Sequence, residues 1–336
     1  MLLKKKYNIS MHFSILGGGR WGCALASHLG RLGHKILVFE KNPTIIDLIN
    51  TGKHPYVEGV ELKGVQATHD LEEALNFSDY IILALPVQVI REVLKGKSLR
   101  GKRIISASKG LEISTKKRVS EVLLEIDPEV EVFCLSGPSF ASEVSKGLPT
   151  ALVLAGKNRE EMERIRGWIS SEGFRVYLST DLVGVELGGA LKNVIAIACG
   201  ISDGLGFGEN ARASLITRGL AEMVRVGVSL GARRETFYGL SGVGDLFLTA
   251  SSSQSRNRSF GYMLGQGLSV EEALKRLNQT VEGVHTVKAV YELSESLNIH
   301  APISLAVYKI VVEGFPAGEV ALELLKRPPQ TPFEIL

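Results

Sequence analysis

A chain of 336 residues is long enough for two domains that each bury a core of their own. Its 39 basic and 36 acidic side chains leave a formal net charge of +3, and the one basic run, Lys4-Lys5-Lys6, is terminal, so no nucleic-acid partner is expected. The longest apolar runs, Tyr80 to Pro86 and Val194 to Cys199, fall well short of the roughly 20 residues of a spanning helix, so no membrane span is expected either.

Residues 1–10 lack the apolar core of a secretory signal and precede Met11 and the first strand-like run, so they are expected to be a disordered extension or a start-site artefact. From residue 12, short β-branched or aliphatic runs alternate with helical stretches: residues 12–16, 36–39, 65–68, 80–85, 103–107, 131–135, 151–154 and 175–178. Apolar strands separated by helices imply a mostly parallel sheet covered on both faces, a doubly wound Rossmann-type α/β domain over residues 11–181. Cys23, Cys134 and Cys199 are too scattered for a zinc site or a disulfide framework. They read as buried free thiols, suited to a reducing cytoplasmic compartment, and no metal is expected.

Gly17-Gly18-Gly19-Arg20-Trp21-Gly22 follows the first strand and opens a helix, giving G-x-G-x-x-G in the context a dinucleotide site requires. Gly17 permits the tight turn, Gly19 lets a pyrophosphate approach the backbone, and Gly22 lets the helix pack closely. Glu40 ends the next strand, where a carboxylate would bond the ribose 2′-hydroxyl of NAD. Lys41 beside it suits the 2′-phosphate of NADP, so both NAD and NADP are expected as cofactors. Two more segments fall at strand ends, where open α/β sheets bind ligands: Ser108-Lys109-Gly110 and Ser136-Gly137-Pro138-Ser139-Phe140-Ala141. Lys109 is expected as a cation at its strand's tip beside the nicotinamide. Gly137 and Ser139 offer a backbone amide and a hydroxyl on a turn set by Pro138.

From about Asp181 the pattern becomes helical, with Ile216, Leu220 and Met223 on one face, a capping box at Ser269-Val270-Glu271-Glu272, and Gly314 with Pro316 between two late helices. An all-helical C-terminal domain is expected over residues 182–327, followed by a tail at 328–336. Lys192 lies in the apolar run Leu191-Lys192-Asn193-Val194-Ile195-Ala196-Ile197-Ala198. Its neighbours three and four positions away, Gly188, Gly189, Ile195 and Ala196, cannot pair with it. It is either an interior ammonium met by a distant carboxylate or a proton-transfer group with a desolvation-lowered pKa. No linker separates the domains, which would put the helix bearing Lys192 at an interdomain cleft. Asp245, in Gly242-Val243-Gly244-Asp245-Leu246, either caps a helix or holds a cationic Lys192 or a substrate hydroxyl. Ser255-Arg256-Asn257 at a helix start is a candidate phosphate cradle.

Taken in order, these segments resemble the bacterial-type NAD(P)-dependent sn-glycerol-3-phosphate dehydrogenases. The resemblance also rests on Gly204-Leu205-Gly206-x-Gly208-x-Asn210, Thr217-Arg218-Gly219 and Glu282-Gly283, and runs from Met11 to about Leu325. It implies Lys192 as proton acceptor and donor, with Lys109, Gly137, Ser139, Asp245, Ser255, Arg256 and Asn257 toward glycerol phosphate. It implies Trp21, Lys41, Lys109, Ala141, Arg256, Thr280 and Glu282 near the dinucleotide. Two positions depart from the family: Arg20 replaces a small residue near the pyrophosphate, and Glu40 stands where NADP-preferring members often carry a small one. The implied activity is reversible reduction of dihydroxyacetone phosphate to sn-glycerol 3-phosphate for phospholipid synthesis, with a homodimer possible through the helical domain. The alternatives are another β-hydroxyacid-type NAD(P) dehydrogenase, which needs no phosphate cradle, and a non-catalytic dinucleotide sensor, which has no use for Lys192.

Overall fold

The computed structural model describes residues 9–327, so most of the expected N-terminal extension and the expected tail at 328–336 lie outside the described residues. Two compact units divide the chain: residues up to Ser108 together with Val119–Leu182, and Lys109–Arg118 together with Val183 onward.

The first unit is one eight-stranded sheet, β1 (His12–Leu16), β2 (Lys35–Phe39), β3 (Val65–Thr68), β4 (Tyr80–Leu83), β5 (Arg103–Ser106), β6 (Glu131–Ser136), β7 (Thr150–Ala155) and β8 (Phe174–Ser179). They lie in the order β3-β2-β1-β4-β5-β6-β7-β8. Every neighbouring pair is parallel except β6 with β7. The chain therefore reverses its winding direction beside β1, the switch point at which such sheets bind ligands. Seven helices cross between these strands: α1 (Arg20–Arg31), α2 (Pro43–Asn50), α3 (Leu71–Phe77), α4 (Val87–Leu94), α5 (Val119–Ile126), α6 (Ala141–Ser145) and α7 (Arg159–Ile169). Their starts are local: Asn42, Asp70 and Asn158 each accept backbone N–H bonds of the first turn. Successive strand residues point to opposite faces, so Ile15 joins one apolar cluster with Phe13 and Phe133 while Leu16 joins another with Leu83 and Ile90.

In the second unit the helices are α8 (Leu182–Gly204), α9 (Gly208–Ser229), α10 (Asp245–Ser251), α11 (Arg256–Gly265), α12 (Val270–Leu277), α13 (Glu282–Ser296), α14 (Pro302–Val311) and α15 (Ala317–Lys326). The Ser269 box caps α12. By length and composition α8 would pass for a membrane span, but 94% of its most apolar window is buried inside the protein, which makes it a core helix. It meets α11 backbone to backbone: side chains added at Gly200 and Gly204 would strike the carbonyls of Arg258 and Tyr262, and ones at Gly261 and Gly265 those of Ile197 and Ile201. The sequence expectation of one continuous dinucleotide domain over 11–181 meets a difference here. Lys109–Arg118 leaves the sheet after β5 and packs with the helical unit, where Leu111 is 1% exposed in the core. Two apolar residues, Leu111 and Ile113, in a short and mostly polar segment are too weak a pattern to announce that excursion.

Candidate active site

In the first unit the expected dinucleotide residues gather at the C-terminal ends of β1, β2 and β6. Gly17 has φ +113, and a Cβ there would sit 2.6 Å from the Ala84 carbonyl oxygen, so only glycine makes this turn. A Cβ on Gly22 would run into the Gly17 carbonyl, the close packing the fingerprint needs. Gly19 is the opposite case: nothing lies within 4 Å of an added Cβ, and the α1 N-terminus it begins has no side-chain cap. An open backbone surface at an uncapped helix start fits a pyrophosphate, so the residues present suit a dinucleotide. The guanidinium of Arg20 lies over the Tyr56 ring at 5.2 Å. Trp21 Nε1 is buried without a hydrogen-bond partner.

Glu40 is fixed by backbone donors, with Gly18 N at 3.1 Å from Oε2 and Lys41 N and Asn42 N at 2.8 and 2.9 Å from Oε1. Its carboxylate is thereby locked at the tip of β2 while the Lys41 side chain is exposed. At the end of β6, Gly137 has φ +144 and packs against Leu152, and the Ser139 hydroxyl donates to the Gly137 carbonyl at 2.9 Å. Ala141 starts α6.

In the second unit a buried charge cluster forms around Asp245. Lys192 Nζ donates to Asp245 Oδ1 at 2.7 Å and to Thr249 Oγ1 at 2.7 Å, and Lys109 Nζ donates to Asp245 Oδ2 at 2.6 Å. One carboxylate therefore bridges two ammonium groups. Lys192 is 6% exposed and Asp245 1%. The approach depends on Gly188, one turn before Lys192, where a Cβ would lie 2.5 Å from the Ser241 carbonyl. Ser241 belongs to a π-helical turn, Leu240–Gly244, that delivers Asp245 to the start of α10. Burial lowers the Lys192 pKa to about 8, with help from Lys109 and Arg256 and against the pull of Asp245. Burial also pushes the Asp245 carboxyl up, but Lys109 and Lys192 outweigh it and hold it below the usual carboxylate range.

Lys109 follows the end of β5 as expected, and it belongs to the helical unit, salt-bridged to Asp245. Within the cradle segment, Ser255 caps α11 by accepting from Arg258 N, and Arg256 is exposed. Asn257 is buried as a joint: Nδ2 donates to Asn193 Oδ1 at 3.0 Å and Oδ1 accepts from Gly283 N at 2.9 Å. That joint ties α11 to α8 and α13. Glu282 begins α13 with Oε2 buried and unpartnered, and burial raises its pKa to about 7, against the pull of Arg256. An unpartnered buried acceptor also suits a polar ligand. Thr280 is exposed just ahead of it. Sequence reasoning missed Thr249 and Asn193. The only available signal was Thr249 lying one helical turn after Asp245, and it means something only once Lys192 is known to face that turn.

A dinucleotide-binding α/β unit joined to a helical unit with a buried lysine–carboxylate pair defines an NAD(P)-dependent oxidoreductase. The family models described as the N-terminus and C-terminus of NAD-dependent glycerol-3-phosphate dehydrogenase match residues 12–162 and 181–321. A curated relative from Thermotoga sp., a glycerol-3-phosphate dehydrogenase of the NAD(P)+ type, is 46% identical over 318 residues, covering 94% of this chain and 97% of its own. The corresponding protein of Thermoanaerobacter sp. is 44% identical over 322 residues, with coverages of 94% and 97%. The crystal structure of glycerol-3-phosphate dehydrogenase from Coxiella burnetii superposes with a TM-score of 0.90 at 36% identity, covering 95% of this chain and 99% of that one. The chain belongs to the NAD(P)-dependent glycerol-3-phosphate dehydrogenase family.

Proposed function

We propose that the chain reversibly reduces dihydroxyacetone phosphate to sn-glycerol 3-phosphate with NADPH or NADH, supplying phospholipid synthesis. The observation that carries this reading is the Asp245 carboxylate shared between Lys192 and Lys109 in a chain of this family. When bound, the nicotinamide supplies the hydride, or accepts it in the reverse direction. In reduction, the Lys192 ammonium gives its proton to the new alkoxide and is left neutral, while Lys109 remains charged and stabilises the oxyanion as it develops. In oxidation, neutral Lys192 takes the hydroxyl proton. A Lys192 pKa near 8 leaves both protonation states accessible around neutral pH. Asp245 and Thr249 orient the amine, and the exposed Arg256 beside Ser255 grips the phosphate, which separates this substrate from free dihydroxyacetone. Asn257 serves that grip chiefly by fixing the start of α11.

For the cofactor, the amide-locked Glu40 suits a ribose diol and the exposed Lys41 suits a 2′-phosphate, so both dinucleotides are used. Gly17, Gly19, Arg20, Trp21 and Gly22 cradle the pyrophosphate side, with Ala141, Thr280 and Glu282 further along the dinucleotide. Gly137 and Ser139 face the substrate. The reading also carries a cytoplasmic homodimer, which sedimentation and cell fractionation test. The central experiment is a steady-state assay of dihydroxyacetone phosphate against dihydroxyacetone with NADH and NADPH. Turnover confined to the phosphorylated substrate is expected, and equal use of both substrates would overturn the assignment.

A further inference from the structure

Lys109–Arg118 is a strap closed on itself. Leu111 and Arg118 form an antiparallel bridge, Glu112 N donates to Lys117 O at 2.9 Å, and Lys116 N donates to Glu112 O at 2.7 Å with Lys116 at φ +62. The bridge sets Arg118 beside Leu111, two residues from Lys109. Besides the Lys109–Asp245 bridge, further attachments tie the strap to helices. Leu111 is buried, Lys116 Nζ pairs with Glu292 Oε2 on α13 at 2.9 Å, and Arg118 Nη1 donates to Glu186 Oε2 on α8 at 2.7 Å. The Lys116 pair is one-third exposed on each side and is worth little. The Arg118–Glu186 pair is different, with side chains 16% and 6% exposed.

We propose that Arg118 and Glu186 are positioning residues whose ion pair clamps the strap to α8 and so holds the Lys109 ammonium on Asp245 while Lys192 occupies the other carboxylate oxygen. The proposal rests on Lys192 as the proton carrier. A lysine side chain gives up rotamer entropy when it is fixed, so a backbone tied down close to it matters. Glu186 stands on the same helix as Lys192, less than two turns before it, which ties both ammonium groups to one rigid element. The groups facing Lys192 are Asp245 and Thr249 from α10, Lys109 from the strap and Arg256 from α11. Lys109 acts on Lys192 twice: it repels the proton directly and draws on the Asp245 charge. If the clamp is cut and Lys109 lifts away, Asp245 acts on Lys192 alone and Lys192 titrates at higher pH.

The test is the pH profile of kcat/KM for glycerol 3-phosphate oxidation, with kcat and Tm, in Arg118→Ala, Glu186→Gln, Arg118→Lys, Lys109→Ala and Lys192→Ala. Arg118→Ala and Glu186→Gln are expected to move the rising, acid-side limb to higher pH by roughly half a unit to one unit, in the same direction as Lys109→Ala, and to lower kcat on the order of tenfold. Arg118→Lys, which keeps a cation for Glu186, is expected to recover most of both effects. An unmoved limb, with activity lost only in step with Tm, would overturn the clamp. Full turnover by Lys192→Ala would instead sink the assignment of the proton carrier.

Discussion

The two units build their parts of the site from different materials. The first presents backbone: the open amide surface at Gly19, the positive-φ turns at Gly17 and Gly137, and a Glu40 carboxylate held by three peptide N–H groups. The second presents largely buried side-chain charge, with Lys192 and Lys109 both paired to Asp245. A backbone site is tolerant of its surroundings because its donors are already fixed by the sheet. A buried charge cluster depends on each member, since removing Asp245 takes the shared carboxylate from both ammonium groups and removing either lysine takes one of its two cations.

Substitutions can break this contrast. The largest effect is expected at the charge cluster: Lys192→Ala should lower kcat by a factor on the order of 10² to 10⁴, the general acid–base range, while dinucleotide affinity is retained in a fluorescence titration. Arg256→Ala should act on binding, raising KM for dihydroxyacetone phosphate on the order of tenfold or more with a smaller change in kcat. An unchanged KM would remove the phosphate role. Gly19→Val tests the backbone side. The space at Gly19 is open, so Tm should hold while dinucleotide affinity falls roughly tenfold as the β-branched side chain fills the pyrophosphate's approach.

A smaller and graded effect comes with pH. Lys192 has its pKa lowered to about 8 from 10.5, mainly by burial. Oxidation needs the neutral amine and should rise as pH passes through 8; reduction needs the ammonium and should fall over the same range. Coincident profiles in the two directions would detach Lys192 from proton transfer. The smallest effect is expected at the exposed Lys41: Lys41→Ala should weaken NADPH several-fold more than NADH, as loss of one exposed charge contact on the 2′-phosphate implies. Equal weakening would leave Glu40 as the main reader of the ribose.

Some of this was legible in the chain and some was not, for reasons particular residues make plain. The strand runs and the Gly17–Gly22 spacing were readable because they are local: period and turn chemistry are set within a few residues of one another. Lys192 was readable as an anomaly, a cation in an apolar helix, and Asp245 as one of its possible partners, but the choice among helix cap, lysine partner and substrate ligand was not, since Asp245 lies far along the chain and reaches Lys192 only through the π-helical turn packed on Gly188. Asn257 was readable as a polar residue at a helix start, but not the use of its amide to join three helices, which depends on Asn193 and Gly283 far along the chain.

By itself, then, the amino-acid order determined the doubly wound sheet, the dinucleotide turn, the helical second half and the oddity of Lys192, because each follows from short-range periodicity and backbone preference. Tertiary structure decided that Lys109 sits with the helical unit, that one carboxylate serves two ammonium groups, and that burial more than Lys109 lowers the Lys192 pKa. Desolvation and ion pairing depend on which distant groups are brought together and how much water they exclude, and that is settled only when the helices pack.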